Sequence, residues 1–246
     1  MPRSDETSGL PRILEGLDLT ADVDNVMHVE ATFVPDAGKV RYKTRKKGGG
    51  LAKRRPERTP DQDQRDGRKR AIRTMQEIAH AHHLDHFVTL TFASPATPEA
   101  ATKAWDRAKR SKAIGPIGPY VYALEYAWPN TLLHIHAMTQ KDAAERLKEH
   151  WPHGWVDIRQ VPWEEVDFVC AYIGKDFDKV ERPIGRRYRA SRGSRPIRQQ
   201  VILTDEIALY SLTIEASRGR EVCSISSYEN GLGRYGQLAW NPHEDA

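Results

Sequence analysis

Cysteine is nearly absent: Cys170 and Cys223 are the only two among 246 residues. That number excludes a disulfide framework and a cysteine-rich zinc module. Long apolar runs are missing as well, since none approaches the roughly 20 residues that span a bilayer. The opening Met1-Pro-Arg-Ser-Asp-Glu6 lacks the basic-then-apolar layout of a secretory signal. These absences predict a cytoplasmic protein with no membrane partner. The phosphate-cradling pattern Gly-x-x-x-x-Gly-Lys-Ser/Thr is also missing. Gly48-Gly-Gly-Leu-Ala-Lys53 has neither its spacing nor its following hydroxyl, so no fused nucleotide-driven motor is expected.

What is present in quantity is segregated charge. The net charge is only +4, yet residues 1–30 are acid-rich while Lys39 to Arg73 are crowded with lysine and arginine. A second basic run holds Arg182, Arg186, Arg187, Arg189, Arg192, Arg195 and Arg198. Such blocks suit a polyanion, because each neutralised phosphate releases counterions. They suit an ordinary solvated surface equally well when taken one at a time.

Residues 28–43 predict a hairpin, with Pro35-Asp-Ala-Gly38 as its turn. Residues 1–27 read as loosely attached, and 46–64, with three consecutive glycines and two prolines, as a basic loop. A helix is expected from about Asp66 to His82. Phe87-Val-Thr-Leu-Thr-Phe92 is a strand, being wholly β-branched, aromatic or leucine. Thr97-Pro98 opens a helix to about Lys109. Tyr120–Tyr126 and Leu132–Met138 are strands about a Trp128-Pro-Asn130 turn. Then follow a helix over 143–150, a strand over 154–159 and a helix from Pro162 to about Val180. Val201–Leu203 and Ala208–Thr213 fit either a strand or a helix. The order β, α, β, β, α, β, α predicts an α+β fold with a central antiparallel sheet flanked by helices.

Alternate residues of a strand share a face. His134 and His136 therefore project together and can grip one divalent ion. His-x-His is also common without any metal. If the hairpin centres near Pro129-Asn130, Glu125 lies opposite His134 on the same face, although a slip of one residue would turn it away. A carboxylate with two imidazoles suits Mg²⁺ or Mn²⁺. On the helix after Pro162, the residues Val166, Val169, Cys170, Ile173 and Phe177 make a core stripe. Tyr172, Lys175, Asp176 and Lys179 line a neighbouring one. A phenol has an ordinary pKa of about 10, and a nearby ammonium or metal ion favours its nucleophilic phenolate. A tyrosine at the edge of the core, with lysines in water, accounts for the same residues without chemistry.

In order along the chain, Phe87–Phe92, Leu124-Glu-Tyr126 with His134-Ile-His136, Trp151-Pro-His-Gly-Trp-Val-Asp157 and Tyr172-Ile-Gly-Lys175 resemble the motifs of HUH endonucleases. Within that superfamily the likeness is to the rolling-circle replication initiators of plasmids and phages. The basic stretch Arg187-Tyr-Arg-Ala-Ser-Arg-Gly193 resembles the segment that follows in some members. Asp176 stands where some members carry a second tyrosine, so the resemblance is to the single-tyrosine form.

It implies an RRM-like, ferredoxin-type nuclease domain over 65–198, with an extension over 1–64 and another over 199–246. It further implies that His134, His136 and Glu125 hold Mg²⁺ or Mn²⁺, that Tyr172 attacks the phosphate, and that Lys175 steadies developing charge. Lys179, Arg186, Arg187, Arg189 and Arg192 would track single-stranded DNA at a replication origin, with a separate helicase and polymerase of the host as partners. The stacking candidates are Trp128, Trp151 and Trp155. The same residues leave open a transposase or relaxase, a hydrolase that uses water, and a non-catalytic DNA-binding or copy-control protein.

Overall fold

The computed structural model describes residues 26–46, 59–127, 132–175, 177, 188–203, 206–218, 220–230 and 233–243. The expected hairpin is there: β1 (Val26–Val34) and β2 (Lys39–Lys46) pair antiparallel across a turn at Pro35–Ala37. Gly38 closes that turn at φ 58°, a backbone state that disfavours side chains. A Cβ there would also lie 1.9 Å from the Trp240 carbonyl oxygen.

Helix α1 (Pro60–Ala81) starts a turn and a half before the expected Asp66. The start signal is a reciprocal cap. The Gln62 amide donates to Thr59 Oγ1 at 3.3 Å, and the Thr59 amide donates to Gln62 Oε1 at 3.0 Å. Then come β3 (His86–Phe92), α2 (Pro98–Ala108), β4 (Val121–Ala127), β5 (Leu132–Thr139), α3 (Lys141–His150) and β6 (Gly154–Gln160). The chain continues through α4 (Val166–Ile173), β7 (Arg189–Ala190), β8 (Gln199–Leu203), α5 (Glu206–Ser217), β9 (Val222–Asn230) and β10 (Gly233–Trp240). The two ambiguous segments are thus a strand, β8, and a helix, α5.

The α+β class holds, with one correction: the strands form two five-stranded antiparallel sheets, not one. The first has the order β6-β3-β5-β4-β7 and the second β8-β1-β2-β10-β9. The N-terminal hairpin and the C-terminal strands, expected as separate extensions, are therefore partners in one sheet. The expectations for residues 1–25 and for the glycine-rich 47–58 lie outside the described residues.

Alternation sorts the first sheet into two faces. Val88, Leu90, Tyr122, Leu133 and Ile135 face α2 and α3, burying Trp105 and Leu147. Val121, Ala123 and Met138 face α1 and α4, burying Met75, Ile78, Val169 and Cys170. In the second sheet Val29, Phe33, Val40, Leu238 and Trp240 pack on Leu209 and Tyr210 of α5.

An ionic seam joins the second sheet to the first. Lys39 of β2, almost fully buried, donates to both carboxylate oxygens of Asp167 on α4 at 2.6 and 2.8 Å. His80 Nε2 lies 2.9 Å from the same carboxylate, and the His243 ring reaches the His80 carbonyl at 2.5 Å. Burial would raise the Asp167 pKa, but His80 and Lys39 outweigh it and hold it down to about 2. Burial, only partly opposed by Asp167, keeps His80 below its usual value and therefore neutral.

Both shifts make acid destabilising, in separate windows. Below about pH 6.5 an unfolded His80 takes a proton that the folded one refuses. Between about pH 4 and 2 the folded Asp167 loses the charge that Lys39 holds. Melting temperature is expected to fall in two stages on acidification. In His80→Gln the first stage should shrink, as followed by circular dichroism at stepped pH.

Candidate active site

The site lies where α1 and α4 stop covering the first sheet. Register places four side chains in one row across four strands: Trp155 opposite Thr91, Thr91 opposite His134, and His134 opposite Glu125. The next row brings Asp157, Thr89 and His136 together in the same way. The inferred facing of Glu125 and His134 is thus the register of the β4–β5 pair. Cross-strand neighbours on one face lie about 5 Å apart.

Each imidazole is held from behind by a threonine. Thr89 Oγ1 is 3.2 Å from His136 Nδ1, and Thr91 Oγ1 is 3.1 Å from His134 Nδ1. The rings are near parallel at 14°, with centroids 5.9 Å apart. When Nδ1–H donates to the threonine, each Nε2 keeps its lone pair for a ligand. The sequence reading misses both threonines. A signal for them exists, because Thr89 and Thr91 repeat the two-residue spacing of the histidines on the adjacent strand.

Glu125 is the charged centre. Its Oε1 accepts from Lys175 Nζ at 2.7 Å, and its Oε2 lies 3.0 Å from His136 Nε2. Burial would raise its pKa, but His136 and Lys175 dominate and draw it down to about 2. Burial, with His136 beside it, lowers the His134 pKa and so favours the neutral ring.

Tyr172 stands over this cluster. Its ring meets His136 edge-on at 5.9 Å and Phe87 edge-on at 6.1 Å. It remains 42% exposed, so a ligand can reach it from solvent. Two expectations about its helix need correcting. Helix α4 is shorter than 162–180: a single 3-10 turn, Trp163–Glu165, precedes it, and it ends at Ile173 with Gly174 as C-cap. Lys175 is therefore not one turn along the same helical stripe but in the turn just past the helix, its amide bonded to the Tyr172 carbonyl at 3.0 Å. Its ammonium sits 4.0 Å from the centre of the Tyr172 ring, over the ring's face. Gly174 permits this placement, since a Cβ there would come 2.4 Å from Ile72 of α1.

The residues suit a hard divalent ion. The buried Oε2 of Glu125 makes no hydrogen bond of good geometry, and it faces an imidazole nitrogen that carries a lone pair when Nδ1–H donates to Thr89. A cation beside them, whether a proton on Nε2 or a metal ion, would hold two such acceptors together. Among the described residues, no three histidine, cysteine, aspartate or glutamate side chains already close round one point. Lys175 supplies the positive charge beside Glu125 instead.

The basic residues divide. Arg189 and Arg192 line a groove of about 1090 Å³ at the β7 edge, with Arg70, Lys109 and Arg195. Arg189 pairs with Tyr122, so it points to the α2 and α3 side, away from the histidines. Lys179, Arg186, Arg187 and Asp176 lie outside the described residues, as does Trp128. Of the other two tryptophans, Trp151 is buried in the core and Trp155 is 64% exposed on the histidine face.

Residues 85–177 match the family model described as replication-associated protein ORF2/G2P. The match runs from the residue before β3 to the turn after α4 and takes in every residue of the cluster, though it covers well under half of the chain. It supports a role in replication initiation and an association with DNA. No curated protein and no solved structure matches the chain. No helix among the described residues is long and apolar enough to cross a membrane.

Proposed function

We propose that this chain is an HUH endonuclease of the single-tyrosine, rolling-circle initiator type. In this reading it nicks one DNA strand at a replication origin and holds the 5′ end covalently. The observation that carries it is the convergence of Glu125, His134, His136, Lys175 and Tyr172 at the open end of one sheet face.

Glu125, His134 and His136 would hold Mg²⁺ or Mn²⁺, which supplies Lewis-acid polarisation of a non-bridging phosphate oxygen. The chain's own groups do the rest. Tyr172 Oη attacks phosphorus in line, the Oη–P bond forms and the P–O3′ bond breaks. The phenolic proton passes to water, and the departing O3′ takes one from water. The products are a 5′-phosphotyrosine and a 3′-hydroxyl that a polymerase can extend. Lys175, next to both Glu125 and the tyrosine ring, steadies negative charge as it develops. The bond energy stays in the phosphotyrosine, so the same site can rejoin strands. Trp155, exposed on the row of Thr91 and His134, offers a face for a base beside the scissile phosphate.

The test is to incubate the full chain with Mn²⁺ and a pool of single-stranded origin fragments, then digest it and map any nucleotide adduct by mass spectrometry. An adduct on the peptide containing Tyr172 is expected. Cleavage that leaves no adduct would assign the attack to water, and binding without cleavage across the pool would leave a non-catalytic DNA-binding protein.

The threonines give a finer check. In Thr89→Val the hydroxyl that orients His136 is removed at nearly constant volume. The Mn²⁺ concentration for half-maximal nicking is expected to rise roughly ten-fold, within the usual range for loss of a ligand's supporting hydrogen bond. The maximal rate at saturating metal should change much less.

A further inference from the structure

The second sheet has one face buried on α5, and register fixes what stands on the other. One row reads Ile202, Glu30, Lys43, Tyr235 and Tyr228 across all five strands. At strand spacing it is about 19 Å long. This face and α1 bound a cleft of about 840 Å³, into which Arg41 and Arg73 also open. Nothing in the chemistry assigned to Tyr172 uses it.

Two features of the cleft ask for a ligand. Tyr228 and Tyr235 stack face to face, with centroids 5.1 Å apart and planes at 9°. A cross-strand pair of this kind stabilises a sheet on its own, yet here the Tyr228 ring is 63% exposed and Ile202, at the other end of the row, is 75% exposed. Large flat side chains left in water at one end of a cleft are a surface for another flat group.

The second feature is crowded positive charge. Arg41 and Arg198 both pair with the single buried carboxylate of Glu77. Arg73 stands close enough to Arg41 to act on it: burial first, then Arg73 and Arg198, pull the Arg41 guanidinium down to about 10. Its Nε is buried without a hydrogen-bond partner. Nearby, Lys43 is paired to Glu30 at 2.5 Å. A bound anion would relieve this repulsion.

We infer that the cleft between α1 and the second sheet is a binding site for single-stranded nucleic acid, with a base stacked on Tyr228 and backbone phosphates near Lys43, Arg41 and Arg73. Stacking on tyrosine combined with a basic track is the usual chemistry of sequence-tolerant single-strand binding. A strand held here would be gripped at a second place, separate from the nicking cluster, and the chain would carry two single-strand sites on two sheets.

The test is an equilibrium titration of the full chain with a labelled oligothymidylate, read by fluorescence anisotropy without divalent ion. Nicking is not needed, so the result stands whether or not Tyr172 is a nucleophile. Tyr228→Ala with Tyr235→Ala is expected to weaken binding about ten-fold, and Tyr228→Phe to leave it within about two-fold because the ring face remains. If the double variant melts early, Tyr228→Ala alone, at an exposed position, takes its place. Lys43→Ala with Arg73→Ala is expected to flatten the salt dependence by roughly 1.4 in log–log slope, or about 0.7 for each phosphate no longer neutralised. Unchanged affinity in the tyrosine variants overturns the inference. So does an equal loss of affinity for an abasic strand of the same length, which would show an anion site without base stacking.

Discussion

Tyr172→Phe is expected to end adduct formation and to lower nicking by at least roughly 10³-fold, the scale seen when a nucleophile is removed outright. What sets this substitution apart is how little else it changes. The phenylalanine ring keeps the edge-on contacts with Phe87 and His136. It also keeps the Lys175 ammonium, which lies over the ring's face. The missing hydroxyl belongs to a side chain that is 42% exposed, where a substitution usually moves stability by no more than about 0.5 kcal/mol. Affinity for a single strand should therefore stay within about two-fold, since stacking and phosphate contacts survive. Single-turnover nicking with a strand-binding control separates these quantities. Nicking that survives at near wild-type rate would make water the nucleophile and would demote Tyr172 to a packing residue.

The second large effect is on stability and lies far from the chemistry. Glu77 on α1 has no exposed surface and is the common partner of Arg41 on β2 and Arg198 just before β8. Arg198 reaches it through two nitrogens, at 2.9 and 2.6 Å. Glu77→Leu preserves volume but strands two guanidiniums beside a third, Arg73. Removing one partner from a buried pair costs about 3–5 kcal/mol, so the urea midpoint should fall by a unit or more at an unchanged slope. The exposed pair of Arg159 and Glu165 is a control, and its loss should cost under about 1 kcal/mol. Similar midpoints for Glu77→Leu and Arg159→Ala would show that the Glu77 pairings contribute nothing net.

The contrast between these residues shows what the amino-acid order discloses. His134, His136 and Glu125 are legible because strand alternation and one short hairpin determine their facing. Phe87–Phe92 is legible because every residue in it prefers a pleated, half-buried surface. Glu77 and Asp167 are not, because a charged residue on a helix is usually solvated, whereas here Arg41 and Lys39 reach in from another sheet to pair with them. The end of α4 falls earlier than its apolar stripe suggests, although a C-cap signal, Gly174, stands in plain view inside the Tyr-Ile-Gly-Lys motif. The β1–β2 hairpin of the second sheet is legible, but its partnership with the C-terminal strands is not. The two ends of the sheet meet only in space, with the Arg234 amide donating to Thr44 Oγ1 across 190 positions, and no local pattern announces such a partner.

That separation bears on how the protein is made. The hairpin of β1 and β2 leaves the ribosome early, with an edge waiting for β10. At about 5–20 residues per second the wait is on the order of ten to forty seconds. During it the strands that form the first sheet emerge and can fold. The half that carries the Glu125, His134 and Tyr172 cluster would then be assembled before its companion sheet closes, and a chain released early would carry that cluster with an unsealed strand edge beside it. Such an edge is a template for association with another chain, so a chain ended before β10 is expected to aggregate more readily than the full one.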